Sequence, residues 1–97
     1  MTTRDYAKRV HGHFGRQTQL RKMQEECAEL IAAIAHCLDG RDNAESELMS
    51  EMADVFFLLL QERLDFGCKP FDEMVDYKAA RTWQRVLDGK YATVSKL

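Results

Sequence analysis

From Leu20 to Leu38 the apolar residues recur at three- and four-residue steps: Leu20, Met23, Cys27, Leu30, Ile31, Ile34 and Leu38. A helix turns once every 3.6 residues, so this spacing lays them along one side of a rod. It predicts a long helix from about Arg16 to Cys37. Strands need apolar and polar residues to alternate, and no stretch of this chain sustains that. The helical periodicity therefore constrains the fold more than any other feature.

The rest of the chain follows the same reading. A short helix is expected over Thr3–Val10, interrupted at "HGHFG". "DGRDN", residues 39–43, is a turn by composition. A third helix is expected from about Ala44 to Phe66, stopped by Gly67. Pro70 suits the first turn of a fourth helix running to about Leu87. The tail "KYATVSKL" receives no assignment. The expectation is an all-α fold, one domain over residues 1–97. It is an antiparallel bundle of about four helices that oligomerises through helix faces.

Charge excludes several function classes. The net charge is −2, with acids and bases interspersed. No basic surplus marks a nucleic-acid polymer as partner, and no cationic amphipathic helix marks a membrane surface. The longest apolar run, "VFFLLL", is too short to span a bilayer. No apolar leader is visible at the N-terminus. The three cysteines, Cys27, Cys37 and Cys68, form no Cys-x-x-Cys pair. They read as buried thiols, and the expected location is the cytoplasm.

Three glutamates in "EECAE" stand beside the long apolar stripe. Glu26 and Glu29 are three apart and share a face, along one edge of the stripe. Gln19 and Lys22 lie on the same side. Glu25 points further away and is expected to be exposed or to stand behind the other two. The next helix repeats the spacing in "EMAD", with Glu51 and Asp54. Glu29 lies eleven residues before Gly40 and Glu51 eleven after; Glu26 lies fourteen before and Asp54 fourteen after. In an antiparallel hairpin, equal distance from the turn means equal height. Glu29 should face Glu51, and Glu26 should face Asp54.

Four carboxylates at one level repel, and they need a cation. No histidine joins them, and an all-oxygen set favours Mg²⁺ or Mn²⁺. Each motif alone is more simply a solvated face, with Arg21–Glu25 and Lys22–Glu26 as ion pairs. The mirrored spacing favours the metal site. On the fourth helix Lys78, Arg81 and Arg85 share a face beside Met74, near the stripe of Phe71, Val75, Thr82 and Val86. They read as surface ion pairs or as phosphate contacts. His36 is expected to be exposed. His11, His13, Trp83 and Tyr77 receive no firm role.

"EECAE" followed by "EMAD" resembles the EExxE…ExxD signature of the MazG-like all-α nucleoside triphosphate pyrophosphatases. The likeness runs from Gln19 through Arg85. "QLRKMQEECAELIAAI" looks like the short phage and prophage members, and "DYKAARTWQRV" resembles their basic motif. Asp76 stands where that motif often has asparagine. The resemblance implies that Glu26, Glu29, Glu51 and Asp54 hold Mg²⁺, and that Lys78 and Arg81 contact phosphates. It places Glu25 with the catalytic acids, as an alternative to Glu29 for taking a proton from the attacking water. Gln19 and Lys22 join the substrate-binding set. The implied reaction converts a nucleoside triphosphate to the monophosphate and pyrophosphate, clearing or controlling nucleotide pools.

Two other readings remain open. Phosphoribosyl-ATP pyrophosphatase of histidine biosynthesis is similar, but its acidic motifs usually lie closer together than Glu29 and Glu51 do. A non-catalytic helical binding protein could keep the same fold. A homodimer or homotetramer is expected. Residues 55–60 are apolar in every direction around their helix, with Phe57 opposite Val55 and Leu59, and the resemblance agrees.

Overall fold

The computed structural model describes residues 1–89, so the tail "KYATVSKL" lies outside the described residues. The described residues form four helices and no strand: α1 (Thr3–Phe14), α2 (Arg16–Leu38), α3 (Ala44–Phe66) and α4 (Cys68–Leu87). Residues Met1–Asp65 form one compact unit, and a second begins at Phe66.

The first helix starts on a reciprocal cap. The Thr2 hydroxyl accepts from the Asp5 backbone N–H at 3.1 Å, and the Asp5 carboxylate accepts from the Thr2 N–H at 2.9 Å. Two otherwise unpaired backbone donors are thereby satisfied. The helix runs further than expected. "HGHFG" was to interrupt it after Val10, yet it continues through Gly12 to Phe14. One glycine inside a helix costs only about 1 kcal/mol, and the last-turn residues His11 and His13 sit where the helix dipole favours positive charge. The break falls instead at Gly15, whose φ of 84° lies where side-chain-bearing residues are strained.

Helices α2 and α3 form an antiparallel hairpin, and their cross-links fix its register. Arg16 Nε meets Glu62 Oε1 at 3.0 Å, and Gln19 Nε2 donates to Gln61 Oε1 at 3.0 Å. Near the turn, His36 Nδ1 lies 2.9 Å from Glu47 Oε1, and the Cys37 thiol donates to Glu45 at 3.1 Å. Each pair is placed almost symmetrically about Gly40. His36, expected to be exposed, is half-buried in its contact with Glu47.

The faces of the hairpin differ from expectation. The apolar stripe of α2 was to form the core. Instead the buried residues of α2 are Gln19, Glu26 and Ala33, seven apart. Ile31 and Leu38 are 69% and 67% exposed. The seam against α3 is thus the edge that carries the acids, while Leu20, Ile31, Ile34 and Leu38 of the stripe are exposed and Met23, Cys27 and Leu30 are half-buried. On α3, Val55 and Leu58 turn inward with Gln61 and Glu62. Phe57 is half-buried. The large apolar side chains exposed on α3 include Met49, Met52, Phe56 and Leu59, an i, i+3, i+7, i+10 row. The outward direction of α3 is therefore that of Phe56, and not of Phe57. The cysteines, expected to be buried, are all half-buried free thiols.

In the second unit, α4 begins after Gly67, at a φ of 93°. No residue of α4 is buried, and its stripe residues Val75 and Val86 are exposed.

Candidate metal centre

The hairpin register carries the acids. Carboxylate oxygens of Glu26, Glu51 and Asp54, one from each residue, lie within 4.8 Å of one another. Glu26 is buried, Glu51 half-buried and Asp54 exposed, so the cluster opens to solvent on the Asp54 side. Helix α2 contributes Glu26 and α3 the other two, so the site exists only when the hairpin closes. Glu26 Oε2 and Glu51 Oε2 are both buried without a hydrogen-bond partner. Burying an unpartnered carboxylate oxygen is costly, and a cation among these oxygens would remove the cost. A small hard divalent ion such as Mg²⁺ fits an all-oxygen donor set of this kind.

Glu29 stands beside this group. Its carboxyl is held above the usual carboxylate range, first by its side-chain hydrogen bond with Glu26, which needs a proton on one of the two. The negative charges of Glu26 and Glu51 push in the same direction. Lys22 supplies the nearest positive charge. Its Nζ lies 3.3 Å from Glu26 and 3.5 Å from Glu25. These contacts raise the Lys22 pKa, the Glu26 hydrogen bond most strongly. Glu25 itself is exposed.

A pocket of about 470 Å³ opens next to the acids, and both Glu26 and Asp54 line it. Lys22, Glu25 and Gln19 line it too, so it gathers five of the site residues expected from the sequence. The remaining walls were not anticipated. They are Val10 and Phe14 from α1, Thr18 and Arg21 from α2, and Phe57, Leu58 and Gln61 from α3. Gln61 carried a legible signal: it lies as far beyond Gly40 as Gln19 lies before it. Phe14 carried none, because it was placed outside the first helix.

Two basic residues on α4 belong to the second unit. Lys78 is exposed, and its backbone carbonyl accepts from the Thr82 hydroxyl at 2.8 Å. Arg81 is half-buried, with its guanidinium 5.9 Å from the centre of the Tyr77 ring and its Nε buried without a partner.

A second group also escaped the sequence reading. His11 Nε2 lies 2.8 Å from Asp65 Oδ2. Arg16 Nε lies 3.0 Å from Glu62 and 3.4 Å from Asp65. This group ties the end of α1 and the start of α2 to the end of α3.

The family model of the MazG nucleotide pyrophosphohydrolase domain matches residues 14–63. That span is just over half of the chain and holds all four acids, Gln19 and Gln61. Comparisons with curated proteins and with solved structures give no match.

Proposed function

The chain belongs to the MazG nucleotide pyrophosphohydrolase domain family, and on that premise we propose that it hydrolyses a nucleoside triphosphate to the monophosphate and pyrophosphate. Mg²⁺ is the proposed cofactor, with Mn²⁺ as a substitute. The observation that carries the proposal is the meeting of Glu26, Glu51 and Asp54 across the hairpin, with two buried oxygens unpartnered. When bound, the cation supplies charge neutralisation for the triphosphate and a lowered pKa for the attacking water.

The chain's own residues have distinct parts. Glu26, Glu29, Glu51 and Asp54 hold the cation. Glu29, beside Glu26 and Glu51, is the proposed base that takes the proton of the water. Glu25 is the alternative base. Gln19 and Lys22, on the pocket wall, contact the substrate. Lys78 and Arg81 are the proposed contacts for the leaving pyrophosphate. The uncovered apolar rows of α2 and α3 support a homodimer or homotetramer. The biological role proposed is the clearing or control of a nucleotide pool.

The test is a panel of nucleoside triphosphates with Mg²⁺, scored for pyrophosphate release. At least one should yield its monophosphate, and chelation of the metal should stop the reaction. Hydrolysis of none would overturn the proposal in favour of a non-catalytic binding protein. Hydrolysis of phosphoribosyl-ATP alone would move it to the histidine pathway enzyme.

A further inference from the structure

Helix α1 supplies one wall of the pocket through Val10 and Phe14, and Phe14 is 54% exposed. The helix itself is lightly packed, with Ala7 as its buried residue. It joins α2 through Gly15, whose φ of 84° suits glycine and strains other residues. Beyond its chain neighbours, no atom lies within 4 Å of where a Gly15 side chain would begin, so the space about this joint is open. A polar contact ties α1 to α3: His11 Nε2 lies 2.8 Å from Asp65 Oδ2. A carboxylate only accepts, so Nε2 carries the proton and donates.

Two features make this contact a catch and not a permanent clamp. The His11 ring meets Asp65 only by burying its other nitrogen, and Nδ1 there has no partner. That lost hydration offsets much of one hydrogen bond, so the contact holds α1 by a small net margin. Arg16 lies on the α2 side of Gly15, with Nε 3.0 Å from Glu62 and 3.4 Å from Asp65. It anchors the start of α2, and Asp65 with it, whether or not α1 is in place. Its guanidinium already supplies the positive charge these acids need, which argues against a metal ion among His11, Glu62 and Asp65.

The contact is remote from the acids. Asp65 stands eleven residues beyond Asp54 on α3, which is about 16 Å of helix. The acids mark one end of the pocket; Thr18 and Gln61 mark the other, where α1 joins. A nucleotide with its phosphates at the acids therefore sends its base toward Val10 and Phe14, whose apolar surfaces suit a flat ring. We infer that α1 is a movable wall that closes on the base, and that His11 is a positioning residue which, through Asp65, holds Phe14 and Val10 in place. This rests on the hydrolytic reading above and adds to it the part of the chain that grips the base. Contact with ring faces is blind to the atoms on a base's edge, so the wall sets affinity for nucleotides and not the choice among them.

The experiment measures kcat and KM on the full chain with Mg²⁺ and the nucleotide used best in the panel above. Calorimetry with α,β-imido-dTTP, α,β-imido-dATP and inorganic triphosphate, which has no base, gives binding alone. In His11→Ala, KM and the Kd of both analogues should rise about fivefold or more, with kcat within about twofold and inorganic triphosphate unaffected. Phe14→Ala should behave in the same way. The double variant should bind no more weakly than the worse single one, because both changes remove one wall. His11→Gln puts an amide N–H in place of the Nε2 donor and should restore binding. A contact that serves stability alone would lower the melting temperature and leave KM where it was. Unchanged KM and Kd in His11→Ala overturn the inference, as do losses that add in the double variant or extend to inorganic triphosphate. Should His11→Ala fail to fold, His11→Phe fills the same space without the donor and replaces it. Analogue binding that depends on His11, without hydrolysis of any nucleotide, removes the hydrolytic reading and keeps this one. Hydrolysis indifferent to His11 does the reverse, and neither binding nor hydrolysis removes both.

Discussion

Glu26 and Asp54 stand fourteen positions to either side of Gly40, and their carboxylates come together with Glu51 in one cluster across the α2–α3 seam. A single turn thus sets the height of every acid in the site. A one-residue insertion between Leu38 and Ala44 would turn one set of acids by about 100° relative to the other. The seam is polar where most helical hairpins are apolar, and this makes the hairpin dependent on whatever neutralises it.

Replacing Asp54 with asparagine keeps the shape and removes one charge. Pyrophosphate release should fall by at least about a hundredfold, because cation-assisted stabilisation is worth several kcal/mol. Without metal, the melting temperature should be unchanged or higher, since repulsion is relieved. Mg²⁺ should raise the melting temperature of the unaltered protein and leave Asp54→Asn unmoved. Full activity in the variant would remove Asp54 from the site.

Lys78→Met keeps the aliphatic stem and discards the ammonium. With substrate well below saturation, turnover should fall about tenfold or more, in line with losing a charge-assisted contact to phosphate. Thermal melting should barely change, because Lys78 is exposed. Unchanged kinetics would reduce Lys78 to a solvated surface residue.

The row Met49, Met52, Phe56 and Leu59 is uncovered in a single chain. Sedimentation equilibrium at micromolar concentration should therefore give a multiple of the 11.2 kDa chain mass. Phe56→Glu places a charge in the middle of this row and should return the mass to that of one chain. A monomer in the unaltered protein would refute the pairing and leave the row unexplained.

The cap at the start of α1 makes stability depend on acid. Asp5 has its pKa lowered below 3.8, chiefly by accepting the Thr2 backbone N–H and then the Thr2 side chain. A carboxyl depressed in the folded state binds its proton more tightly in the unfolded chain. Its stabilisation is complete above the unfolded value and is lost as pH falls through the folded one. Asp5→Asn should thus lower the melting temperature at pH 6, and the difference from the unaltered protein should close as pH falls through the lowered folded-state pKa of Asp5. A difference that persists at low pH would assign the cap's effect to shape instead of charge.

The sequence determined the helices, the hairpin turn and the level of the acids. These are local or one-dimensional facts: periodicity sets the helix, and residue count from Gly40 sets the height. Asp54 and Glu26 could be paired from the string alone because a helix is a straight ruler. The chain's string could not decide which side of α2 faces α3. Both the apolar stripe through Ile31 and the edge through Gln19, Glu26 and Ala33 have helical spacing, and a wheel gives no preference between them. Burial usually favours the apolar side. Here packing against α3 buried the polar edge and left Ile31 and Phe56 outside. Only the tertiary structure could bring Phe14 and Gln61 into one pocket, since they come from separate helices and no spacing rule relates them. It also left the Gln61 amide without a partner, which depends on every atom around it and on no residue count.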